Sequence, residues 1–306
     1  MVKIINNLNE VDVTDGIVVV VHGGPCHADE VYAIVVLERI YGKVYVLRCF
    51  KVPEEIGENV IICDIGYGKY DHHQPGGNGQ RKNGVPYAAA GLIWKDFGME
   101  ALKDTCNPEF IWKSIDKNLV QGIDAIDNGK MPNADYPAQA MTFSKMVSMR
   151  NPTWDSSKTT DEGFIEACDF ARRELDILIK SEEAKARAQG IVDEAIAKSE
   201  GHIMVLERFV PWQEYIFSSE NLNAADILFV VFPSSRGGYN WQCVPDTLGS
   251  FGQRKSVPSD WNGKKDTELQ EITGIKTATF CHPNGFIGGA ETFEGAYALA
   301  RLAVEA

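Results

Sequence analysis

The triplet Asp71-His72-His73 comes shortly after the apolar run Val60–Cys63 and Asp64. A second histidine–carboxylate segment, His22-Gly-Gly-Pro-Cys-His27-Ala-Asp29-Glu30, directly follows the run Ile17–Val21. Four of the six histidines in the chain fall in these two segments. Imidazole combined with carboxylate suits divalent cations such as Mn²⁺, Fe²⁺ or Co²⁺, and open α/β sheets bind their ligands at strand ends. The chemistry such residues serve is hydrolysis assisted by a bound metal ion.

The elements that must position them are legible. Ile17–Val21 is a continuous β-branched run, as in a buried parallel strand. Residues 28–41 carry Val31, Ile34, Val35 and Ile40 at roughly helical spacing, with Gly42 as a stop. Val44–Leu47 and Val60–Cys63 read as further strands, and Ala88–Phe97 and Phe110–Ile126 as helices. Strand–helix alternation of this kind predicts a parallel, doubly wound sheet. From Thr160 to Ser199 the chain is proline-free and rich in Ala, Glu, Lys, Arg and Ile. It predicts one long helix of up to ~60 Å, with Gly190 a point where it could break. Strand signals return at Ile203–Leu206, Ile227–Phe232 and Thr277–Cys281, and a terminal helix covers Phe293–Val304.

Each chemical residue has a plain alternative. Asp29 and Glu30 open a helix, where acids cap and favour the macrodipole; two histidines within the same short segment weigh against that role alone. Gly23 and Gly24 let backbone and ligand approach closely. Asp64 ends a strand, a common place for a turn former. Asp124 and Asp127 sit three residues apart at a helix end marked by Asn128-Gly129, where a carboxylate opposes the macrodipole and a nearby cation would justify it. Asp124 is favoured as the ligand and Asp127 as a cap or supporting group.

Composition narrows the classes. At 306 residues two domains are expected. Apolar residues form 44% and charged residues 24% of the chain, an ordinary globular balance. No stretch is long and apolar enough for a transmembrane helix. Met1–Glu10 reads as neither signal nor transit peptide, so a cytoplasmic location is expected. Seven scattered cysteines with no Cys-x-x-Cys pair predict reduced, mostly buried thiols. The formal charge of −13 argues against a surface that tracks long duplex DNA. It leaves room for a short polyphosphate or a few nucleotides held mainly by metal.

Taken together, these sites resemble the four motifs of the DHH phosphoesterase superfamily. Within it, His22–Glu30, Tyr70-Asp-His-His-Gln74 and Val120-Gln-Gly-Ile-Asp-Ala-Ile-Asp-Asn-Gly129 resemble the MYG exonuclease family, as do Trp241-Gln-Cys-Val-Pro245, Ser250-Phe-Gly-Gln-Arg254 and Gly285-Phe-Ile-Gly-Gly289. The resemblance covers almost the whole chain. It implies an α/β fold, with a Rossmann-like parallel-sheet DHH domain over residues 1–200, including the long connecting helix. A smaller α+β substrate-binding domain over 201–306 and a cleft between the two are also implied. So are two divalent ions, usually Mn²⁺ with Mg²⁺ or Co²⁺ as alternatives, and 3′–5′ exonuclease activity on single-stranded RNA or oligonucleotide. Homo-oligomerisation stays open. Two departures stand out: His27 occupies the place of the middle acid of the usual first DHH motif, and Ala290 stands where the family's glycine-rich motif usually carries histidine.

The reaction so implied is in-line hydrolysis of a phosphodiester. His22, His27, Asp29, Asp64, His72 and Asp124 are assigned to ligation, with Asp71 bridging or orienting a ligand. His73 is assigned to the phosphate or leaving oxygen. Arg254 neutralises phosphoryl charge, and backbone N–H groups of Gly285, Gly288 and Gly289 meet phosphate unless they form a structural turn. Trp212, Tyr215, Tyr239 and Trp241 are candidates to stack bases, against the commoner fate of core packing. The competing enzyme reading keeps the site and changes the substrate to a small phosphoanhydride or cyclic dinucleotide. A non-catalytic, nucleotide-sensing scaffold is the third reading.

Overall fold

The computed structural model describes residues 1–11, 16–57, 59–130 and 140–306. They form two compact units, 1–183 and 184–306. In the first, four strands are mutually parallel in the order β1 (Val2–Ile5), β3 (Val44–Cys49), β2 (Ile17–His22), β4 (Val60–Ile62). Alternate side chains of β2 enter different cores: Val19 and Val21 join the large cluster beneath the helices, and Val18 and Val20 pack with Ile5 and Leu47 on the other face. Burial on both faces is why the strand is uninterrupted Ile and Val rather than alternating.

Helix α1 (Ala28–Tyr41) is buried from Ala28 to Glu38 and stops at Gly42, whose φ of +72° suits glycine. Against it pack α2 (Ala89–Ala101), α4 (Gln121–Asp127) and α5 (Phe143–Ser148). The expected single helix over Phe110–Ile126 is interrupted. After α3 (Pro108–Ile115), residues Asp116–Val120 form a π-turn that leads into α4. Such insertions re-aim the residues that follow them.

Helix α6 runs unbroken from Thr160 to Ala197, through Gly190. The sequence places the domain boundary inside or just after this helix, with 200 as the working bound. The two units divide between Glu183 and Ala184, within the helix: Phe164, Leu175 and Ile179 join the first core, whereas Ala188, Val192 and Ile196 join a cluster of the second unit.

The second unit carries a mixed sheet in the order β5 (Ile203–Val205), β6 (Phe229–Pro233), β7 (Tyr239–Cys243), β9 (Ile287–Ala290), β8 (Ala278–Cys281). Only β5 and β6 are parallel. Short helices α7 (Gln213–Ser218) and α8 (Asn223–Asp226) precede β6, and α9 (Asp266–Thr273) precedes β8. The terminal helix α10 (Phe293–Glu305) covers the face that carries Phe229, Val231 and Trp241. Gly288 and Gly289, read as phosphate-meeting or turn glycines, lie in the interior strand β9. A Cβ on Gly288 would stand 2.3 Å from the Trp241 ring and one on Gly289 would stand 2.8 Å from the Phe280 ring, so packing is reason enough for both glycines. Gly285, with φ +68°, makes the turn before β9, and Ala290 is buried at its end.

Trp212, Tyr215 and Trp241 are core residues, and Tyr239 packs edge-on against Phe293. All seven cysteines are free, and five are buried. Among the described residues no helix is long and apolar enough to cross a membrane.

Candidate metal centre

Parallel pairing of β2 with β3 and β4 brings the C-terminal ends of the strands to one edge, and the segments that leave them carry the chemistry. His22 is the last residue of β2. Asp64 follows β4, with its N–H on the Tyr70 carbonyl at 2.9 Å and a φ of +59° that non-glycine residues rarely adopt. The same loop delivers Asp71, His72 and His73.

His22 Nε2 lies 3.2 Å from Glu30 Oε1 and 3.3 Å from Asp64 Oδ2. His72 Nε2 lies 2.9 Å from Asp127 Oδ2, 3.4 Å from Asp64 Oδ1 and 3.8 Å from Asp29 Oδ2. The ligand atoms fall into three groups, each within 4.8 Å: His22, His27, Glu30 and Asp64; Asp64, His72 and His73; His27, Asp29 and Asp127. Asp64 and His27 each belong to two of them, so the groups adjoin.

Four buried polar atoms here, His22 Nε2, Asp29 Oδ1, Asp64 Oδ1 and His72 Nε2, have no well-aligned hydrogen-bond partner, although both histidine nitrogens stand within ion-pair distance of carboxylates. Buried polar atoms are nearly always satisfied, and two carboxylates about 4 Å apart repel by roughly 4 kcal/mol even at an effective dielectric near 20. Protons respond to that field. His22 is pushed up to about 9 and His72 to about 10: burial disfavours their charge, but Glu30 and Asp64, and Asp127 and Asp64 respectively, outweigh it. Burial, then the neighbouring carboxylates, holds Asp29 well above the usual carboxylate range, and burial lifts Asp64 although His72 opposes it. The donor set of imidazole and carboxylate therefore fits a divalent cation.

Of the residues expected to ligate, His22, His27, Asp29, Asp64 and His72 are brought together; Asp71 and Asp124 are not. Both Asp71 oxygens are committed: Oδ2 accepts the Tyr67 N–H at 2.6 Å, and Oδ1 accepts from His73 N at 3.1 Å and pairs with His73 Nδ1 at 2.7 Å. Burial raises the Asp71 carboxyl, but these bonds together hold it below its usual value. Asp124 faces Arg81 instead, with Nη1 at 2.7 Å from its Oδ2, and accepts the Gly91 N–H at 2.9 Å. Burial pushes its carboxyl up to about 6 against the pull of Arg81. The acid that α4 presents to the cluster is Asp127, whose carboxyl is held below the usual range because His72 outweighs burial. Glu30 was also passed over as a ligand. It caps α1 through the His27 N–H, at 2.8 Å, and reaches His22 as well. His73 joins the second group while its ring stays half exposed.

Arg81 had no sequence signal. Its buried guanidinium binds Asp116 of the π-turn and Asp124, and stacks on Tyr87. Replacing it by Met leaves two carboxylates without their cation, and Arg81→Met is expected to destabilise the fold by about 3–5 kcal/mol, read as a lower urea midpoint. A midpoint shift below ~1 kcal/mol would show that the pair is dispensable.

In the second unit, Arg254 Nη1 donates to the carbonyls of Ala224, Ala225 and Ile227, and its guanidinium lies over the Phe217 ring. Burial lowers its pKa.

The first unit is thus an α/β unit whose parallel strands end at a cluster able to hold a divalent ion. Residues 18–304 match the model of the MYG1 exonuclease family, described as an uncharacterised protein family (UPF0160). The chain belongs to this family. It is 32% identical to the MYG1 exonuclease of Mus musculus over 92% of its own length and 83% of the relative's. It is likewise 32% identical to the MYG1 protein of Schizosaccharomyces pombe over 93% and 96%, and 31% identical to the MYG1 exonuclease of Homo sapiens over 92% and 84%. No solved structure matches.

Proposed function

We propose that the protein is a metal-dependent phosphodiester hydrolase of the DHH phosphoesterase type that removes nucleotides from the 3′ end of single-stranded RNA. The observation that carries the reading is the buried imidazole–carboxylate cluster beside the strand ends, in which His22 Nε2 and His72 Nε2 lie 3.3 and 3.4 Å from Asp64 and four polar atoms lack a well-aligned hydrogen-bond partner. Membership of a family whose relatives are named exonucleases supports a nucleic-acid substrate. His22, Glu30 and Asp64, with His72, Asp29, Asp127 and His27, would hold two divalent ions, Mn²⁺ by preference. When bound, these ions supply Lewis acidity toward phosphoryl oxygen and lower the pKa of water.

The chain's own groups do the rest. Asp71 stays ionised and fixes the His73 ring through Nδ1, which leaves Nε2 for the phosphate or the leaving oxygen. Asp71 is therefore a positioning residue and His73 the group that meets substrate. Arg254 and the Gly285–Gly289 segment remain the proposed substrate contacts of the second unit. Cytoplasmic location belongs to the same reading.

The test is nucleotide release from a short 5′-labelled single-stranded RNA in Mn²⁺, with a chelated control and pyrophosphate beside it. Stepwise shortening from the 3′ end that requires metal is expected. Asp71→Asn is expected to lower kcat by about 10²-fold with unchanged metal content. Hydrolysis of pyrophosphate but not RNA would replace the reading with the small-phosphoanhydride alternative.

A further inference from the structure

Beside the donor cluster, in the same unit, lies a cavity of about 710 Å³ that none of the roles above uses. His27 and Asp127 form part of its wall, so it opens onto the cluster. Its remaining lining includes Ala28, Ile126, Met141, Ser144 and Lys145. Two properties of that lining select a ligand. The first is its apolar share: inorganic phosphate or pyrophosphate gains nothing from Ala28, Ile126 and Met141, whereas a nucleobase has two flat apolar faces. Met141 is 60% exposed, and its thioether is suited to pack against a ring. The second is charge. The wall shared with the cluster is acidic, and the chain carries −13 overall, both unfavourable to a phosphodiester. Lys145 is the cation of this cavity. Its backbone N–H caps onto Thr142 in the first turn of α5, its side chain is exposed, and it has no carboxylate partner among the described residues.

We infer that this cavity seats the nucleoside of the nucleotide beside the scissile bond, with the Lys145 ammonium on that nucleotide's phosphate. The inference rests on the hydrolase reading above and adds where the substrate's nucleoside is held and which side chain meets its phosphate.

Two measurements on the full chain test it. Calorimetry in Mn²⁺ compares adenosine 5′-monophosphate with inorganic phosphate, for wild type, Lys145→Ala and Lys145→Arg. The nucleotide is expected to bind at least tenfold tighter than phosphate. Lys145→Ala is expected to weaken nucleotide binding by about ten- to a hundredfold, as for loss of one hydrogen bond to a charged group, with Lys145→Arg restoring most of it. Equal affinity for the two ligands, or unchanged nucleotide binding in Lys145→Ala, would overturn the inference whether or not RNA is a substrate. Kinetics on RNA then separates the two claims. A raised KM in Lys145→Ala supports both, whereas an active enzyme with unchanged KM removes the cavity assignment and leaves the hydrolase. A wild type that binds the nucleotide selectively but leaves RNA intact removes the hydrolase alone.

Discussion

Asp64→Asn is expected to abolish metal-dependent hydrolysis and, in chelator, to make the protein more stable than wild type. Asp64 lies between both halves of the cluster, 3.3 Å from His22 Nε2 and 3.4 Å from His72 Nε2. Removing a charge that should meet the cation forfeits several kcal/mol of transition-state stabilisation, a factor on the order of 10³ or more in rate. The stability effect has the opposite sign. Burial lifts the Asp64 carboxyl above its usual value, so the fold without cation disfavours the ionised form that Asn removes. Asparagine also tolerates the φ of +59° found there. In chelator the variant should gain about 1 kcal/mol, a trade of stability for function. In Mn²⁺ it should lose the stabilisation that metal gives wild type. Thermal melts in the two conditions read both. A variant that melts lower than wild type in chelator would assign Asp64 to holding the fold.

The second large effect is on pH. The folded pKa values of His22 and His72, about 9 and 10, lie above the unfolded value of 6.5. Their contribution to stability is fully present below pH 6.5 and is lost as pH rises through 9 and 10. Asp29 and Asp64 act in the same direction, because a carboxyl raised by folding makes the native state bind more protons than the unfolded chain. Metal-free protein is therefore expected to lose stability on the order of a few kcal/mol between pH 6.5 and 10. Mn²⁺ affinity should rise over the same range, since the ion displaces the imidazole protons. Denaturant titrations in chelator and Mn²⁺ titrations at several pH values check the pair. Metal-free stability that is flat or rising with pH would contradict the electrostatics of the cluster.

Much of this was legible in the chain because local signals and tertiary needs agree around β2 and α1. A β-branched run, a glycine pair, two histidines and a helix ending at Gly42 mark out the segment that carries His22, His27 and Asp29, and the structure brings these three side chains into the cluster. Asp124 was favoured over Asp127, and the structure turns Asp127 toward the cluster for a reason that local pattern cannot hold. Two acids three residues apart on one helix look equivalent until Arg81, 43 residues upstream, takes one of them, and the π-turn at Asp116–Val120 sets which way α4 faces. Asp71 was read as bridging or orienting a ligand; its oxygens are taken by the Tyr67 and His73 N–H groups and by His73 Nδ1, an arrangement that suits orienting over bridging. Glu30 was legible as a cap and is one, but the same carboxylate also reaches His22. Gly288 and Gly289 suggested phosphate contact or a turn because glycine is a poor strand former; their place in β9 follows from Trp241 and Phe280, which leave no room for a Cβ.

The most direct test of the central claim is anomalous diffraction at the manganese edge from crystals grown with Mn²⁺. Two peaks roughly 3.5–4 Å apart are expected within bonding distance of His22, Asp29, Asp64 and His72, with Asp127 in contact and Asp124 still on Arg81. No peak at those side chains, or a peak bound by Asp124 in place of Asp127, would contradict that claim.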